Sequence, residues 1–476
     1  MKAKMPLIGG LLLIISFCGI QAAGSPRHPV PGQAVIRLAK SGRPESILRW
    51  AGANLKDSIP GRHTFLVQMP GRISLDSLLS RLARLPGVLY AEPNYELQLP
   101  ETYQMSISFP DDDAPPLLNG VDPASFFAQP AAYFLGIDSA QLTSTGLGVT
   151  VAVIDNGFDF THPLLAPRLL AVGYDFVNND SDPSCDSGAV FEHGTFVAGL
   201  IALTAPDCAL LPLRSFDGNG LGTTFSAADA IYYAVSHGAS IINMSFGTTS
   251  NSTVLSQACS AATAAGVHMI AASGNNSSSI PSYPAAYPGV IAVSGTDTLD
   301  LLASFSNFGD HIDICAPAVN LYSTLAGSSD WGTWSGTSFA APFVSATCAM
   351  VLERNPTYTV DAMENHIRST AAVALRWGTV TPPDPAYGYG GIDVANAVYA
   401  ASPAMAGSAG DANASGQIDL GDVIFIVTCL QRGEVPTSSS RMADVNCDGV
   451  VDKLDIEFLV SHIFKGGPPP GNCRIN

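Results

Sequence analysis

The amino-acid sequence predicts an α/β protein: a doubly wound, mainly parallel sheet, preceded by a small α+β domain and followed by a helical module built on paired loops. Three observations carry this. Four apolar runs bounded by glycine or proline, "GVTVAVID", "GASIINMSFG", "GVHMIAASGNN" and "PGVIAVSGTD", alternate with Ala-rich helical stretches, as strands buried on both faces of a parallel sheet do. Residues 33 to 95 mix strand and helix signals in a smaller unit. Residues 411 to 476 contain an internal repeat, which marks a separate module.

Length and composition fit that division. A chain of 476 residues exceeds one ordinary core. Hydrophobic residues at 47% against 13% charged speak for packed domains rather than disorder. The net charge of −18 disfavours nucleic acid and anionic membrane surfaces as partners, and suits a chain that holds cations.

In chain order, residues 1–23 read as a signal peptide, with lysines, an apolar stretch and then small residues around Ala22 and Ala23. The bulky Phe17 before Cys18 argues against a lipoprotein signal. No later stretch is long and apolar enough to span a bilayer, so export to the extracellular space is expected. Eight cysteines then remain, five in the central region and three in the C-terminal one. Odd counts leave either a free thiol in each region or a bridge between them.

In the unit at 33–98, "QAVIRLA" and "HTFLVQM" read as strands. "SLDSLLSRLARLPG" reads as a helix behind a Ser74 cap, and "GVLYAEPNY" closes the unit. Residues 99–124, rich in Pro and Asp, read as an exposed linker. The parallel sheet is expected within 125–400, where Asp155 ends the first apolar run and Asn275 follows the third. Both fall at the carboxyl edge of the strands, where functional groups of such sheets gather. Residues 401–410 are a small-residue linker to the module at 411–476.

Three segments of the central region carry groups fit for nucleophilic chemistry: Asp155 in "VAVIDNGFD", His193 in "FEHGTFVAGL" and Ser338 in "SGTSFAAP". Each has an ordinary structural reading too. Ser338 could cap a helix, Asp155 could hold a turn with Asn156 and Gly157, His193 could be a core histidine, and Asn275 could hold a left-handed turn. A serine hydroxyl becomes a nucleophile when an imidazole takes its proton and a carboxylate orients that imidazole. The chain order Asp, His, Ser is one of the orders known for this device.

These segments, with "GNGLGTTFSAADAIYYAVSHGASIINMSFG", "YPAAYPGVIAVSGTD", "ASFSNFGDHIDICAPAVNLYST" and "YGYGGIDVANAV" in the same order, resemble the subtilisin-type serine proteases over most of residues 125–400. The resemblance implies a subtilisin-like fold and a secreted serine endopeptidase acting on protein or peptide substrates. Asp155, His193 and Ser338 would be its triad, and the Asn275 amide with the Ser338 backbone N–H its oxyanion donors. It also implies Ser245, Phe246, Gly247, Ala272, Ser273 and Gly274 as walls of the main substrate pocket. None is charged, which favours an apolar or aromatic side chain before the cut bond. Asn156, Phe339 and Ser273 depart from the usual Ser or Thr, Met and Ala, without removing a charged or proton-carrying group.

Residues 33–98 resemble the propeptide of these proteases, which implies a self-processing zymogen; the cut is expected between Tyr95 and Ser125, where the linker lies. At the C-terminus, Asp411, Asn413, Ser415, Asp419 and Asp422 repeat as Asp444, Asn446, Asp448, Asp452 and Asp455, with Gly416 and Gly449 at position six. Oxygens at positions 1, 3, 5, 9 and 12 around a tight turn suit calcium, with the backbone carbonyls of Gln417 and Val450 at position seven. Asp at position twelve, where an EF-hand has Glu, resembles the dockerin module. That resemblance opens a cohesin-like partner without requiring one. The second loop has one more carboxylate and is expected to bind calcium more tightly. In the catalytic region, Asp180 and Asp182 of "NNDSDP" are read as a solvated loop before a further calcium site. The competing reading of the whole chain is a weakly active or inactive binding and display protein of the same shape, acting through the dockerin-like module. The four intact site residues argue against it.

Overall fold

The computed structural model describes residues 29–40, 42, 44–69, 74–101, 123–327, 330–376, 378–401, 410–413, 417–432, 443–446 and 450–466. The expected signal peptide, most of the expected linkers, Ser415, Asp448, Cys447 and Cys473 lie outside the described residues.

The N-terminal unit contains β1 (Pro29–Leu38), α1 (Pro44–Ala51), β2 (Asn54–Ile59), β3 (Thr64–Gln68), α2 (Leu75–Leu82) and β4 (Val88–Gln98). Ser74 is the N-cap of α2 as expected, accepting from the Ser77 N–H. The strands pair antiparallel in the order β2-β3-β1-β4. One face packs α1 and α2 over Ile36, Ile47, Val67, Leu78 and Leu82.

The central domain begins with α3 (Pro123–Phe127), α4 (Pro130–Leu135) and α5 (Ile137–Gln141), then β5 (Thr150–Asp155) and β6 (Tyr174–Asp175). It continues through α6 (His193–Thr204), β7 (Ala209–Arg214), β8 (Leu221–Thr223), α7 (Thr224–Ser236), β9 (Ile241–Met244), α8 (Thr253–Ala264), β10 (His268–Ala272), β11 (Val290–Thr296) and β12 (Ile314–Pro317). The hairpin β13 (Leu321–Thr324) and β14 (Trp331–Trp334) leads to the long helix α9 (Thr337–Arg354), then α10 (Val360–Ser369) and α11 (Val394–Ala400).

Among the described residues, seven strands form a parallel sheet in the order β12-β11-β10-β9-β5-β7-β6. All four predicted apolar runs are strands of it. Alternation places Val151 and Val153 of β5 in the cluster with α6 and α9, and Ala152 and Ile154 in the cluster with α7 and α8. After β5 the chain runs to the edge strand β6 and back to β7, which lies between β6 and β5, on one side. It then returns through β9 to β12 on the other. The carboxyl ends of β5 and β9 therefore flank a topological switch point, where open sheets form a crevice.

The fourth strand of the N-terminal unit continues into the central domain. Strand β8 pairs antiparallel with β4, Glu96 to Thr223, Leu97 to Gly222 and Gln98 to Leu221. The Glu92 carboxylate accepts from the backbone N–H groups of Thr253 and Val254, both at 2.7 Å, at the start of α8. Asn94 Oδ1 accepts from Phe225 N–H at 3.1 Å at the start of α7. One strand thus caps two helices of its neighbour, satisfying N–H groups that no intrahelical carbonyl reaches.

The C-terminal module holds α12 (Leu420–Arg432) and α13 (Lys453–Lys465). Its small core of Val423, Ile426, Val445 and Leu459 joins Ala395 and Tyr399 of α11. Tyr399 lies edge-on to Phe425 with ring centroids 4.2 Å apart. Among the described residues, no helix is long and apolar enough to cross a membrane. Cys185, Cys208, Cys259, Cys315 and Cys348 are free thiols, so the five central cysteines form no bridge to one another. Burial pushes the Cys208, Cys259 and Cys348 thiols up to about 12, which keeps them protonated and inert.

Candidate active site

Asp155, the last residue of β5, is fully buried at the switch point. Its Oδ1 accepts from His193 Nδ1 at 2.7 Å and from the Asn156 N–H at 2.9 Å. The next two residues form a close-packed turn. Gly157 has φ +119°, and a Cβ there would lie 2.6 Å from Cys185 Cα. The Asn156 side chain, one of the departures in sequence, donates to Val190 O at 2.5 Å and accepts from Gly194 N–H at 2.9 Å. It ties the β5 loop to the first turn of α6. From below, the buried Arg214 pairs with Asp175 at 2.5 Å and donates to Asn156 O.

His193 opens α6, a helix buried on every side. Gly199 lets α6 approach β13: a Cβ would meet Ser323 Oγ at 2.2 Å. Those hydroxyls instead hold the helix, Ser323 Oγ donating to Phe196 O at 2.6 Å and Thr324 Oγ1 to Thr195 O at 2.7 Å. The imidazole packs between Trp334 and Phe339, with ring centroids at 5.8 and 5.2 Å. Phe339, the second departure, is thus one wall of the imidazole's aromatic slot.

Ser338 lies in the first turn of α9 but does not cap it. Gly336 holds the N-cap position and makes no side-chain bond, so Thr337 and Ser338 are the first two helical residues. Pro342, four residues on, has no N–H to offer the Ser338 carbonyl. Ser245 Oγ donates to that carbonyl instead, at 2.8 Å. The Ser338 hydroxyl in turn lies 3.1 Å from Ser245 O, outside its own helix.

Asn275 follows β10. Its Oδ1 accepts from Thr337 N–H at 3.0 Å and Thr337 Oγ1 at 2.7 Å. Those bonds fix the amide so that Nδ2 points into the crevice.

A fifth residue, which sequence reasoning places in an exposed linker, completes the site. Glu101 is fully buried. Its Oε2 accepts from Ser338 Oγ at 2.8 Å and from His193 Nε2 at 2.9 Å, and its Oε1 accepts from Asn275 Nδ2 at 3.0 Å. A Cβ on Gly336 would stand 2.1 Å from Glu101 Oε1, so only glycine leaves room for this carboxylate. Both imidazole nitrogens face carboxylate oxygens, which only accept when ionised, so both must donate. Burial alone would lower the His193 pKa; the Asp155 and Glu101 carboxylates outweigh it and raise it to about 10. Leu99 and Pro100 are buried as well, correcting the expectation that the linker is exposed from residue 99.

The expected pocket residues sort into two groups. Gly247 N–H donates to Gln98 O at 3.3 Å, so it lines the crevice with its backbone. Phe246 is fully buried, its ring 4.9 Å from that of Phe216, in the cluster that also holds Leu97 and Leu99. It is core beneath the crevice rather than an open wall. Ser245 supports Ser338, as described, and Ser273 is held by the sheet through Val293 O. A Cβ on Gly274 would meet Asn307 Nδ2 at 2.6 Å. Ala272 is buried within β10. Asp180 and Asp182 are exposed and cap their own turns, bonding Asp182 N–H and Ser184 respectively.

In the C-terminal module, Asp411, Asn413 and Asp422 are buried in the first loop, and Asp455 in the second. Asp422 accepts from Asn413 and Asp419 N–H groups at 3.0 and 2.8 Å. Asp455 accepts from Val445 and Asp452 N–H groups, both at 2.8 Å. Burial, with Asp411 and Asp419 nearby, pushes the Asp422 carboxyl up to about 7, and Asp455 is raised for like reasons with Asp444. Among the described residues no three His, Cys, Asp or Glu side chains gather closely enough to hold a metal alone. Hard oxygens crowded in two matching loops are nevertheless a donor set that a calcium ion would relieve.

A family model described as the subtilase family matches residues 146–390. A fervidolysin N-terminal prodomain model matches residues 19–94, and a dockerin type I domain model residues 409–464. The thermophilic serine proteinase of Bacillus sp. (strain AK1) is 32% identical over 387 residues, covering 78% of this chain and 88% of that relative. Subtilisin BL of Lederbergia lenta is 39% identical over 251 residues, covering 51% and 87%. Among solved structures, fervidolysin of Fervidobacterium pennivorans, titled a keratinolytic enzyme related to subtilisin, aligns with a TM-score of 0.64 at 23% identity. That alignment covers 80% of this chain and 62% of fervidolysin, so this chain spans about three fifths of its length. Type I dockerins are calcium-binding modules that typically bind cohesins. The reading as an inactive display protein is not favoured by any of these likenesses. With the parallel sheet, the crevice at its switch point and these matches together, the chain belongs to the subtilase family and is a subtilisin-like serine protease with a fervidolysin-type prodomain and a dockerin module.

Proposed function

We propose that Ser338 is the nucleophile of this protease, His193 its general base and acid, and Asp155 the residue that orients and stabilises His193. The observation that supports this most is the single carboxylate of Glu101, touched at once by Ser338 Oγ, His193 Nε2 and Asn275 Nδ2. A group seated there stands where a substrate carbonyl would meet nucleophile, base and oxyanion donor together. With a peptide in that place, Ser338 Oγ attacks the carbonyl carbon and His193 Nε2 takes its proton. The carbonyl oxygen becomes anionic against Asn275 Nδ2 and the Ser338 backbone N–H in the first turn of α9, whose dipole adds to the field. His193 then returns the proton to the leaving amine, and water hydrolyses the acyl-enzyme by the same path.

The substrate strand would lie where residues 96–99 lie, between β8 and Gly247. An apolar or aromatic side chain is favoured before the cut bond, because the surrounding wall residues carry no charge. The working parts are a signal peptide at 1–23, an inhibitory propeptide at 33–98, a catalytic domain at 125–400 and a calcium module at 411–476. The chain is exported and acts outside the cell. Calcium would be held by Asp411, Asn413, Ser415, Gln417, Asp419 and Asp422, and by Asp444, Asn446, Asp448, Val450, Asp452 and Asp455. A cohesin-like domain is the partner such a module would take.

The test is hydrolysis of a peptide amide beside its ester by the processed enzyme and by His193→Ala, processed in trans. Loss of roughly 10⁵ to 10⁶ in kcat on both substrates supports the assignment. Wild-type turnover of the ester alone would make the protein an esterase.

A further inference from the structure

The strand that enters the crevice meets Ser338 through a side chain, that of Glu101. Residues 96 to 98 pair with β8, Gly247 N–H donates to Gln98 O, and Leu99 N–H donates to Gly220 O at 3.0 Å, as an extended ligand would. At Pro100 and Glu101 the chain leaves the extended form for a 3₁₀ turn. Proline fixes its own φ and lacks the N–H that would continue the ladder. The turn brings the Glu101 side chain against Ser338, His193 and Asn275. The Glu101 carboxylate is planar, anionic and two-oxygened, and it is fully buried in a slot that Gly336 leaves open.

Resting on the assignment of Ser338 as nucleophile, we propose that Glu101 is a side-chain latch of the zymogen: its carboxylate fills the place of the attacked carbonyl and engages Ser338, His193 and Asn275 together, so the unprocessed chain stays inert until Glu101 leaves. The latch acts three ways. Glu101 Oε1 takes the Asn275 amide, so the oxyanion position is filled. Glu101 Oε2 accepts from the Ser338 hydroxyl, whose other acceptor is Ser245 O at 3.1 Å, so that hydroxyl is not directed at the imidazole. The same oxygen accepts a hydrogen bond from His193 Nε2–H, so that nitrogen has no lone pair for the serine. Inhibition of this kind is separable from the tethering of the prodomain through Glu92 and Asn94, whose side chains bond the starts of α8 and α7, and Gln33 within the prodomain, rather than Ser338, His193 or Asn275.

The experiment follows full-length wild-type, Glu101→Gln and Glu101→Ala chains through maturation, with a fluorophosphonate probe added at intervals and intact and processed bands read on one gel. Glu101→Gln keeps the side-chain volume while removing the charge, so it carries the test if the alanine variant fails to fold. The expected result is an intact wild-type band that does not label and intact variant bands that label at least tenfold faster. Intact variants as unreactive as intact wild type, beside a processed wild-type band that labels, would overturn the latch and leave Ser338 as nucleophile. An intact wild-type band that labels as fast as the processed one would also overturn it. Absence of label on every band would overturn the assignment of Ser338 along with the latch.

Discussion

Glu101 Oε2 accepts hydrogen bonds from Ser338 Oγ at 2.8 Å and His193 Nε2 at 2.9 Å, joining a residue before the catalytic domain to two that are 92 and 237 positions away. The pair with His193 has a pH signature. The folded-state pKa of His193 is raised to about 10 by Asp155 and Glu101 against the opposing effect of burial. A raised pKa contributes stability that is fully present below the unfolded value near 6.5 and is lost as pH rises through 10. Comparing Ser338→Ala with Ser338→Ala/Glu101→Gln isolates the Glu101 share. The first should be more stable by about 2 kcal/mol at pH 6, converging on the second by pH 10.5. Thermal melts at both pH values check this.

Asn275→Ala should lower kcat of the processed enzyme by about 10² to 10³ with little change in KM. Its Oδ1 also holds the first turn of α9 through Thr337. Thr337→Val, which keeps the backbone bond and removes the hydroxyl, should cost about tenfold in kcat. Steady-state kinetics on one peptide amide separates the two.

Glu92 holds the prodomain on α8 through two backbone N–H groups and the Ser252 hydroxyl. Glu92→Ala in the unprocessed Ser338→Ala chain should therefore lower stability by about 1–2 kcal/mol. Because Glu92 leaves with the propeptide, fluorophosphonate labelling of the enzyme processed from a Glu92→Ala chain with Ser338 intact should be unchanged. Denaturant unfolding measures the first outcome and the labelling rate the second.

Calcium chelation should destabilise residues 411–466 selectively, since buried carboxylates such as Asp422 and Asp455 would lose their cation. Limited proteolysis with EGTA should cut this module and leave the central domain whole, and added calcium should restore protection. Titration calorimetry of Asp411→Ala and Asp444→Ala chains should find the tighter site lost in the second.

Much of the fold was legible because parallel strands buried on both faces must be continuous apolar runs. The carboxyl ends of those runs mark the positions of Asp155 and Asn275. The helix that begins near Ser338 was legible too. Its cap was not, because whether Ser338 or Gly336 starts the helix depends on what satisfies the Ser338 carbonyl, and that group is Ser245 from β9's end. Glu101 was missed because its stretch reads by composition as linker. The one local signal was the alternation of Tyr95, Leu97 and Leu99, which extends the strand to Pro100. Phe246 lines up with a pocket wall in the family pattern, and only the packing of Phe216 and Leu97 assigns its ring to the core.

The proposed chemistry rests first on Ser338 as the nucleophile. Peptide mapping by mass spectrometry of the processed, calcium-loaded enzyme after fluorophosphonate treatment tests it directly. The expected result is one phosphonyl adduct, on Ser338, absent when the protein is denatured first. An adduct on another serine, or none on a folded and processed enzyme, would contradict it.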